Sequence, residues 1–361
     1  MRIATFNVEN LFSRASVMNL DTWAEGGEVL SDVQTLNSLI EKKVYSSADK
    51  EIMSKLLEKY EFNNRDKVNR PFSLVEIRSK LYKVNKDNNI EIVAAGSDGW
   101  LGWVELQREG IEDQAIKNTA RVIAEVGADI LCTVEVENRM VLSKFNKLIL
   151  KANFGLGYAY NMLVDGNDAR GIDIGLLSNH KIVSVRSHVE DGGEKPIFSR
   201  DCPEFEVALP NSDTLWILGN HLKSKGYGNP SQSNKKRWRQ AAEVAKIYVA
   251  ARERSDYVLV MGDFNDFPGS DALRPLLEET DLRDVMSHPS YAGKPGTYGS
   301  CNSVNQKIDY ILLSPALWER VQAVGVETRG IYAPRSGLMF DTVTGHKSAA
   351  SDHAAVWVDI E

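Results

Sequence analysis

The sequence predicts a layered sandwich of sheets and helices, in the α+β or α/β class. Three observations carry this. Short apolar runs that read as buried strands recur along the chain, at 3–8, 129–136, 172–177, 215–220, 257–262, 308–313 and 354–360. Amphipathic helical patterns lie between some of them, but without a strict strand–helix alternation, which favours stacked layers over a regularly wound parallel sheet. The composition, 43% hydrophobic and 26% charged, is that of an ordinary globular chain.

Taken in order, the run at 3–8 is the first strand. Residues 15–110 then read differently from the rest. Val29, Leu30, Val33, Leu36, Leu39 and Ile40 recur at helical spacing. Ser46 with Asp49 forms a capping box for a second helix carrying Ile52, Met53, Leu56, Leu57 and Tyr60. Two strand-like runs, 74–84 and 90–95, are joined by the polar stretch 85–89 as a hairpin. Gly96-Ser97-Asp98-Gly99 breaks the chain. A helix at 112–125 places Ile116, Thr119, Ala120 and Ile123 on one face, and Val126-Gly127 ends it. A second, at 235–252, carries Trp238, Ala241, Ala242, Ala245 and Tyr248, and a third at 271–279 follows a Pro-Gly turn. There is no internal repeat and no low-complexity tract.

Length and composition exclude several classes. A chain of 361 residues buries a sizeable core, and by length alone suggests about two domains. No apolar run approaches the roughly 18 residues of a membrane helix, and the N-terminus lacks a signal-peptide core. Cys132, Cys202 and Cys301 cannot all pair and fit no zinc spacing, so reduced thiols and a cytoplasmic location are expected. No membrane and no obligate protein partner are expected. With a net charge of −7, any contact with nucleic acid needs a local basic patch.

The chemistry lies at strand ends. Asn7 is near the end of the first run. Glu135 interrupts the apolar run at 130–134. Asn220-His221 ends another, Asp263 and Asn265 follow 258–261, Asp309 sits inside 307–312, and Asp352-His353 precedes the last. Ionised groups at the ends of buried strands are costly unless paired or metal-bound, so these positions suggest one shared site. Glu135, Asp263 and Asp352 offer hard oxygen ligands suited to Mg²⁺ or Mn²⁺. His221 and His353 can donate to a phosphate oxygen or move a proton near neutral pH. Asn7 and Asn265 can orient a phosphate, a water or a metal-bound carboxylate. The set suits metal-assisted hydrolysis of a phosphoester.

Phe6-Asn7-Val8-Glu9-Asn10-Leu11, Leu131…Glu135, Asn220-His221-Leu222-Lys223-Ser224, Gly262-Asp263-Phe264-Asn265-Asp266, Ile308-Asp309-Tyr310-Ile311-Leu312 and Ser351-Asp352-His353 together resemble the endonuclease/exonuclease/phosphatase superfamily. The motifs run in that family's order. The resemblance implies an α+β fold of four layers, α/β/β/α, with two mixed, mostly antiparallel sheets of the deoxyribonuclease-I type. It implies Glu135 as the principal metal ligand with Asn7 and Asp352 beside it. It implies Asp263 orienting or deprotonating the nucleophilic water, and Asn265 holding the scissile phosphate. His353 would contact that phosphate, oriented by Asp309, and His221 matches the second histidine of the deoxyribonuclease-like and sphingomyelinase-like branches. Val134 stands where the family usually has Gln.

The segment from Asp168 through Arg170 and Asp173 to Leu177 resembles bacterial, nuclease-like members. Asp173 is a candidate to orient His221, and Arg170 to grip a phosphate with its planar fork; a salt bridge between them is the competing reading. Asn220 and Lys223 are further candidate substrate contacts. Lys223, Lys225, Lys235, Lys236, Arg237 and Arg239, interleaved with Tyr227 and Trp238, make a local basic run that reads as a phosphate-backbone grip or a solvated face. His180, His188, His288 and His346 read as surface residues. The favoured function is a divalent-metal-dependent phosphodiesterase with DNA or RNA as substrate; the alternative is a phosphatase or phosphodiesterase for a small molecule or lipid headgroup. The motifs span residues 1–361 as one catalytic domain, which makes 15–110 an α+β insertion after the first strand, near the active-site edge.

Overall fold

The structure is a computed structural model that describes residues 1–18, 23–168, 170–210, 213–226, 229–335 and 338–361. Tyr227 of the basic run and Ala169 of the 168–177 motif lie outside the described residues. The chain divides into two compact units: Met1–Ser13, Gly110–Lys225 and Asn229–Glu361 form one, and Arg14–Glu109 with Gly226–Gly228 the other.

The first unit holds two six-stranded mixed sheets. Its strands in chain order are β1 (Arg2–Asn7), β2 (Ile130–Val136), β3 (Tyr160–Leu163), β4 (Asp173–Ser178), β5 (Ile182–Arg186), β6 (Glu204–Ala208), β7 (Thr214–His221), β8 (Val258–Asp263), β9 (Arg283–Asp284), β10 (Asp309–Leu313), β11 (Val321–Glu327) and β12 (Ala355–Ile360). One sheet runs β11-β12-β1-β2-β4-β3 and the other β5-β6-β7-β8-β10-β9. Only β1 with β2 and β7 with β8 pair in parallel among these neighbours. The expected strands all form. β3, β5, β6, β9 and β11 were not anticipated, because they are short or carry polar residues on both faces.

Period-2 alternation builds the layers. Ile3, Ile130, Cys132, Ile174 and Leu176 of one sheet pack against Phe205, Leu215, Ile217, Leu259, Met261 and Ile311 of the other. The opposite faces meet helices. Ala4, Phe6 and Leu131 pack on Ala120, Ile123 and Val126 of α1 (Asp113–Val126). Trp216, Leu218, Val260 and Leu312 pack on Ala241, Val244, Ile247 and Tyr248 of α2 (Pro230–Arg252). Each fully buried aliphatic side chain contributes about 1.5–3 kcal/mol, so the sandwich is a stiff frame for what its strand ends carry. The α2 helix begins before the expected 235, with Asn229 accepting from the Gln232 N–H as its N-cap and Pro230 in the first turn. The helix expected at 271–279 shortens to Arg274–Leu277.

The second unit has a core of its own around Leu36, Met53, Leu57, Phe72, Leu81, Trp100 and Val104. Its helices are Trp23–Ile40 and Ser47–Lys59, the latter started by the Ser46/Asp49 capping box. The 74–84 strand expectation needs correcting. Ser79, at φ 60°, breaks that run. Tyr82–Val84 pairs with Ile90–Ile92 as the hairpin, whereas Phe72–Arg78 pairs with Leu101–Leu106, a strand the sequence did not reveal. No helix among the described residues is long and apolar enough to cross a membrane.

Candidate active site

Strand pairing gathers the polar residues at one edge of the first unit. Asn7 lies opposite Val134 in the parallel β1–β2 pair, so Asn7 and Glu135 reach the same edge. His221 lies opposite Asp263 in the parallel β7–β8 pair, and antiparallel β10 starts with Asp309 opposite Asp263. β12 runs antiparallel to β1, which brings the preceding His353 to the same place. The backbone is left-handed at Glu135 (φ 65°) and Asn265 (φ 55°), uncommon for non-glycine residues and typical of functional sites. Gly262, at φ 131°, is obligatory: a Cβ there would sit 2.0 Å from the Asn220 carbonyl oxygen. It lets β8 turn and present Asp263.

On one side stands His353. Its Nδ1 lies 2.9 Å from Asp309 Oδ2 and 3.0 Å from Oδ1. Thr297 Oγ1 donates to Asp309 Oδ2 at 2.7 Å and accepts from the Ile308 and Asp309 N–H groups. This bracing puts a proton on Nδ1 and leaves Nε2 facing Asp352 Oδ1 at 3.7 Å and Asp263 Oδ2 at 3.9 Å. Burial opposes the charged ring, but Asp309 and Asp263 outweigh it and raise the His353 pKa well above the ordinary imidazole value. Asn7 Nδ2 donates to Asp263 Oδ2 at 3.2 Å and lies 3.5 Å from His353 Nε2, while its Oδ1 accepts from the Glu9 N–H.

On the other side stands His221. Its Nε2 is 3.5 Å from Glu135 Oε1 and 3.6 Å from Asp263 Oδ2. Its buried Nδ1 has no hydrogen-bond partner among the described residues. Burial, then Arg200 and Arg170, lower its pKa well below the ordinary value, so this ring is neutral. Asp263 is pushed up to about 7 by burial, against the pull of the His353 cation. Asn265 closes over it: its N–H donates to Asp263 Oδ1 at 2.8 Å, and its Nδ2 to Asp263 Oδ2 at 3.1 Å and to the Leu222 carbonyl at 3.2 Å.

A cationic wall completes the site. Arg170 forks onto Asp168 at 2.8 and 2.7 Å, and Arg200 Nε reaches the same carboxylate at 3.1 Å. Burial would raise the Asp168 pKa, but the two guanidinium groups hold it well below the usual carboxylate range. Lys223, buried beside Arg200 and Arg170, is lowered to about 7, first by burial and then by those charges. The sequence assigned no role to Asp168 and did not single out Arg200. Arg200 lies in a short polar step between Phe198 and Cys202, and its partner is 32 positions away, so no local pattern marks it.

Two expected residues stand apart from the cluster. Asp173 accepts from the Gly166 N–H at 2.9 Å and makes no hydrogen bond to His221; burial pushes it up to about 7. Its Arg170 salt bridge does not form either, because Arg170 takes Asp168. Asn220 is fully buried and donates to the Leu218 carbonyl; one residue before His221, it lies on the other face of β7. His188, expected at the surface, is buried instead between Asp191 (2.7 Å) and Glu204 (2.9 Å). The basic run divides as well. Arg237 is fully buried on Asp266 at 2.8 Å, and Lys225 pairs with the same carboxylate.

The donor set fits a divalent cation. Asp263 is buried and Glu135 half-buried, and no Lys or Arg ion-pairs with either among the described residues. Burial raises the pKa of both, the mark of negative charge short of a counter-charge. Hard oxygens of this kind match Mg²⁺ or Mn²⁺. A second grouping, Asp263, Asp309 and His353, has ligand atoms within 4.8 Å of one another. There the Asp309 oxygens and His353 Nδ1 are already engaged with each other and with Thr297.

The family model described as Endonuclease/Exonuclease/phosphatase family matches residues 110–353, more than half of the chain. No curated protein matches it in sequence. Solved structures are similar to it. A mannosyl-6-phosphatase of Bacteroides thetaiotaomicron VPI-5482 aligns at TM-score 0.50 and 16% identity, over 69% of this chain and 91% of that one. An endonuclease/exonuclease/phosphatase family protein of Bacteroides thetaiotaomicron gives 0.48 and 17%, over 68% and 88%. A 3′-5′ exonuclease of Neisseria meningitidis gives 0.47 and 14%, over 69% and 95%. With strand order, strand-end residues and family match in agreement, the chain belongs to the endonuclease/exonuclease/phosphatase family, whose members are phosphoesterase hydrolases.

Proposed function

We propose that this chain is a divalent-metal-dependent nuclease that hydrolyses phosphodiester bonds of DNA or RNA. The observation that supports it best is the pair of buried histidines with opposite proton affinities, both facing Asp263. Asp263, near pKa 7, is suited to take the proton of the attacking water as its oxygen bonds to phosphorus. The charged His353, held by Asp309, donates to a phosphate oxygen as the P–O bond to the leaving group breaks. His221 enters as a neutral imidazole, and Asn265 holds the phosphate. Glu135, with Asn7 and Asp352, would hold Mg²⁺ or Mn²⁺, which neutralises charge developing on the phosphate. Arg170 and Lys223 form the wall that attracts an anionic substrate. Asp173 fits a positioning role through the 166–173 turn better than a direct one.

The three cysteines are buried and unpaired, which supports a cytoplasmic setting. Residues 15–110 read as an insertion within one catalytic domain that tunes substrate choice. A folded variant lacking them should change substrate preference and keep metal affinity; loss of metal binding would contradict this.

The test is cleavage of plasmid, single-stranded DNA and RNA with Mg²⁺ and with Mn²⁺, against Asp263→Ala and His353→Ala. Metal-dependent cleavage absent from both variants supports the reading. Inert nucleic acid with fast turnover of a small phosphoester would replace it with a phosphatase.

A further inference from the structure

The cations in the N-terminal half of α2 have two different fates. Arg237 is spent inside the fold, on Asp266, Asn234 and the Lys223 carbonyl. Lys235, Lys236 and Arg239 instead line a cleft of about 250 Å³ together with Lys195, Gln232 and the 196–197 loop, and no carboxylate contributes to it. Among the described residues, none of these four cations makes a side-chain hydrogen bond or ion pair. Four like charges converging on one concavity repel one another unless an anion joins them. The cleft is smaller than the roughly 300 Å³ at which pockets for larger organic ligands begin, and it has room for a phosphate group with its water.

The cleft is fastened to the active site. Fully buried Gln240 donates to the Ile197 carbonyl at 3.3 Å and to Ser199 Oγ at 3.2 Å, and accepts from the Lys223 N–H at 2.7 Å. Three residues beyond Ile197 lies Arg200, which pairs with Asp168 and through it stands beside Arg170. Lys236 feels the same field: burial and then Arg200 lower its pKa. Positive charge therefore continues from the wall of the catalytic cluster into the cleft.

We propose that the cleft formed by Lys195, Lys235, Lys236 and Arg239 binds a phosphate group of the substrate other than the one hydrolysed. The enzyme then selects chains bearing at least two phosphates over single phosphoesters. This rests on the nuclease reading for its substrate but on the cleft alone for its anion site, and the experiment separates the two. The probes are sodium tripolyphosphate, titrated calorimetrically into metal-free protein, and steady-state hydrolysis of an oligothymidylate and of bis(p-nitrophenyl) phosphate. The variants are the triple Lys195→Gln, Lys236→Gln, Arg239→Gln and, keeping only the two exposed positions, Lys195→Gln with Arg239→Gln. His353→Ala controls for binding at the catalytic cluster.

The expected result is at least tenfold weaker tripolyphosphate binding in the triple variant, with the double variant between it and wild type, and near-wild-type binding in His353→Ala. The KM ratio of oligothymidylate to bis(p-nitrophenyl) phosphate should rise at least tenfold in the triple variant, with a shallower salt dependence for the oligonucleotide. Unchanged tripolyphosphate binding in both charge variants overturns the anion site. Weakened binding with an unchanged KM ratio overturns its use by the substrate. Wild-type protein that hydrolyses the small diester and leaves oligothymidylate intact overturns the nuclease reading, and the tripolyphosphate titration still decides the anion site.

Discussion

His353 and His221 face the same carboxylate from buried positions, yet one ring is held charged and the other neutral. The difference lies behind each ring. Behind His353 stands Asp309, itself fixed by Thr297 at 2.7 Å. Behind His221 no hydrogen-bond partner meets Nδ1 among the described residues, and after burial the charges that lower its pKa most are Arg200 and Arg170. Burial alone would neutralise both rings; Asp309 and Asp263 reverse that for His353, and two cations reinforce it for His221. One edge of the sandwich thus carries a proton-rich half and a proton-poor half on either hand of Asp263.

The comparison breaks most severely if His353 is lost. His353→Ala should lower kcat by about 10³-fold, within the range for an acid–base group, whereas His221→Ala should cost about 10²-fold or less. Steady-state kinetics at fixed metal concentration checks both. Next comes Asp309→Asn, with about a 10²-fold fall in kcat. Its pH profile is the sharper readout. Wild-type activity should rise through about pH 7 as Asp263 loses its proton and fall at higher pH as His353 does. Without the Asp309 anion the His353 proton is held less tightly, so the alkaline limb should move to lower pH.

A smaller effect is expected from Arg200→Gln. Removing that cation makes the His221 ring easier to protonate, so its pKa should rise, with less than about tenfold loss of kcat. An imidazole NMR titration would show it. Thr297→Val, which removes one donor to Asp309, should cost only a few-fold in kcat and shift the alkaline limb slightly in the same direction as Asp309→Asn.

How much of this is legible in the sequence follows from how local each signal is. β1, β2, β7, β8, β10 and β12 are apolar runs ended by a polar residue, so both the strand and its functional tip are written in consecutive positions. The edge strands β3, β5 and β11 are short or half-polar, and pairing with a neighbour, not propensity, makes them strands. Arg200 and Gln240 matter through partners far along the chain, which no spacing reveals. Asn220 shows the limit at single-residue resolution: it shares a motif with His221, but the strand's alternation sends the two side chains to opposite faces. His188 reads as a surface residue because one of its carboxylate partners, Glu204, meets it only after β6 forms, and the nearby Asp191 alone does not signal burial.

The central claim, two buried histidines in opposite protonation states around one carboxylate, is tested most directly by following the imidazole resonances of His221 and His353 in metal-free protein between about pH 5 and 8. The account predicts that His353 remains protonated through neutral pH while His221 remains neutral well into acid. Both rings titrating together near the unperturbed value of about 6.5 would contradict it.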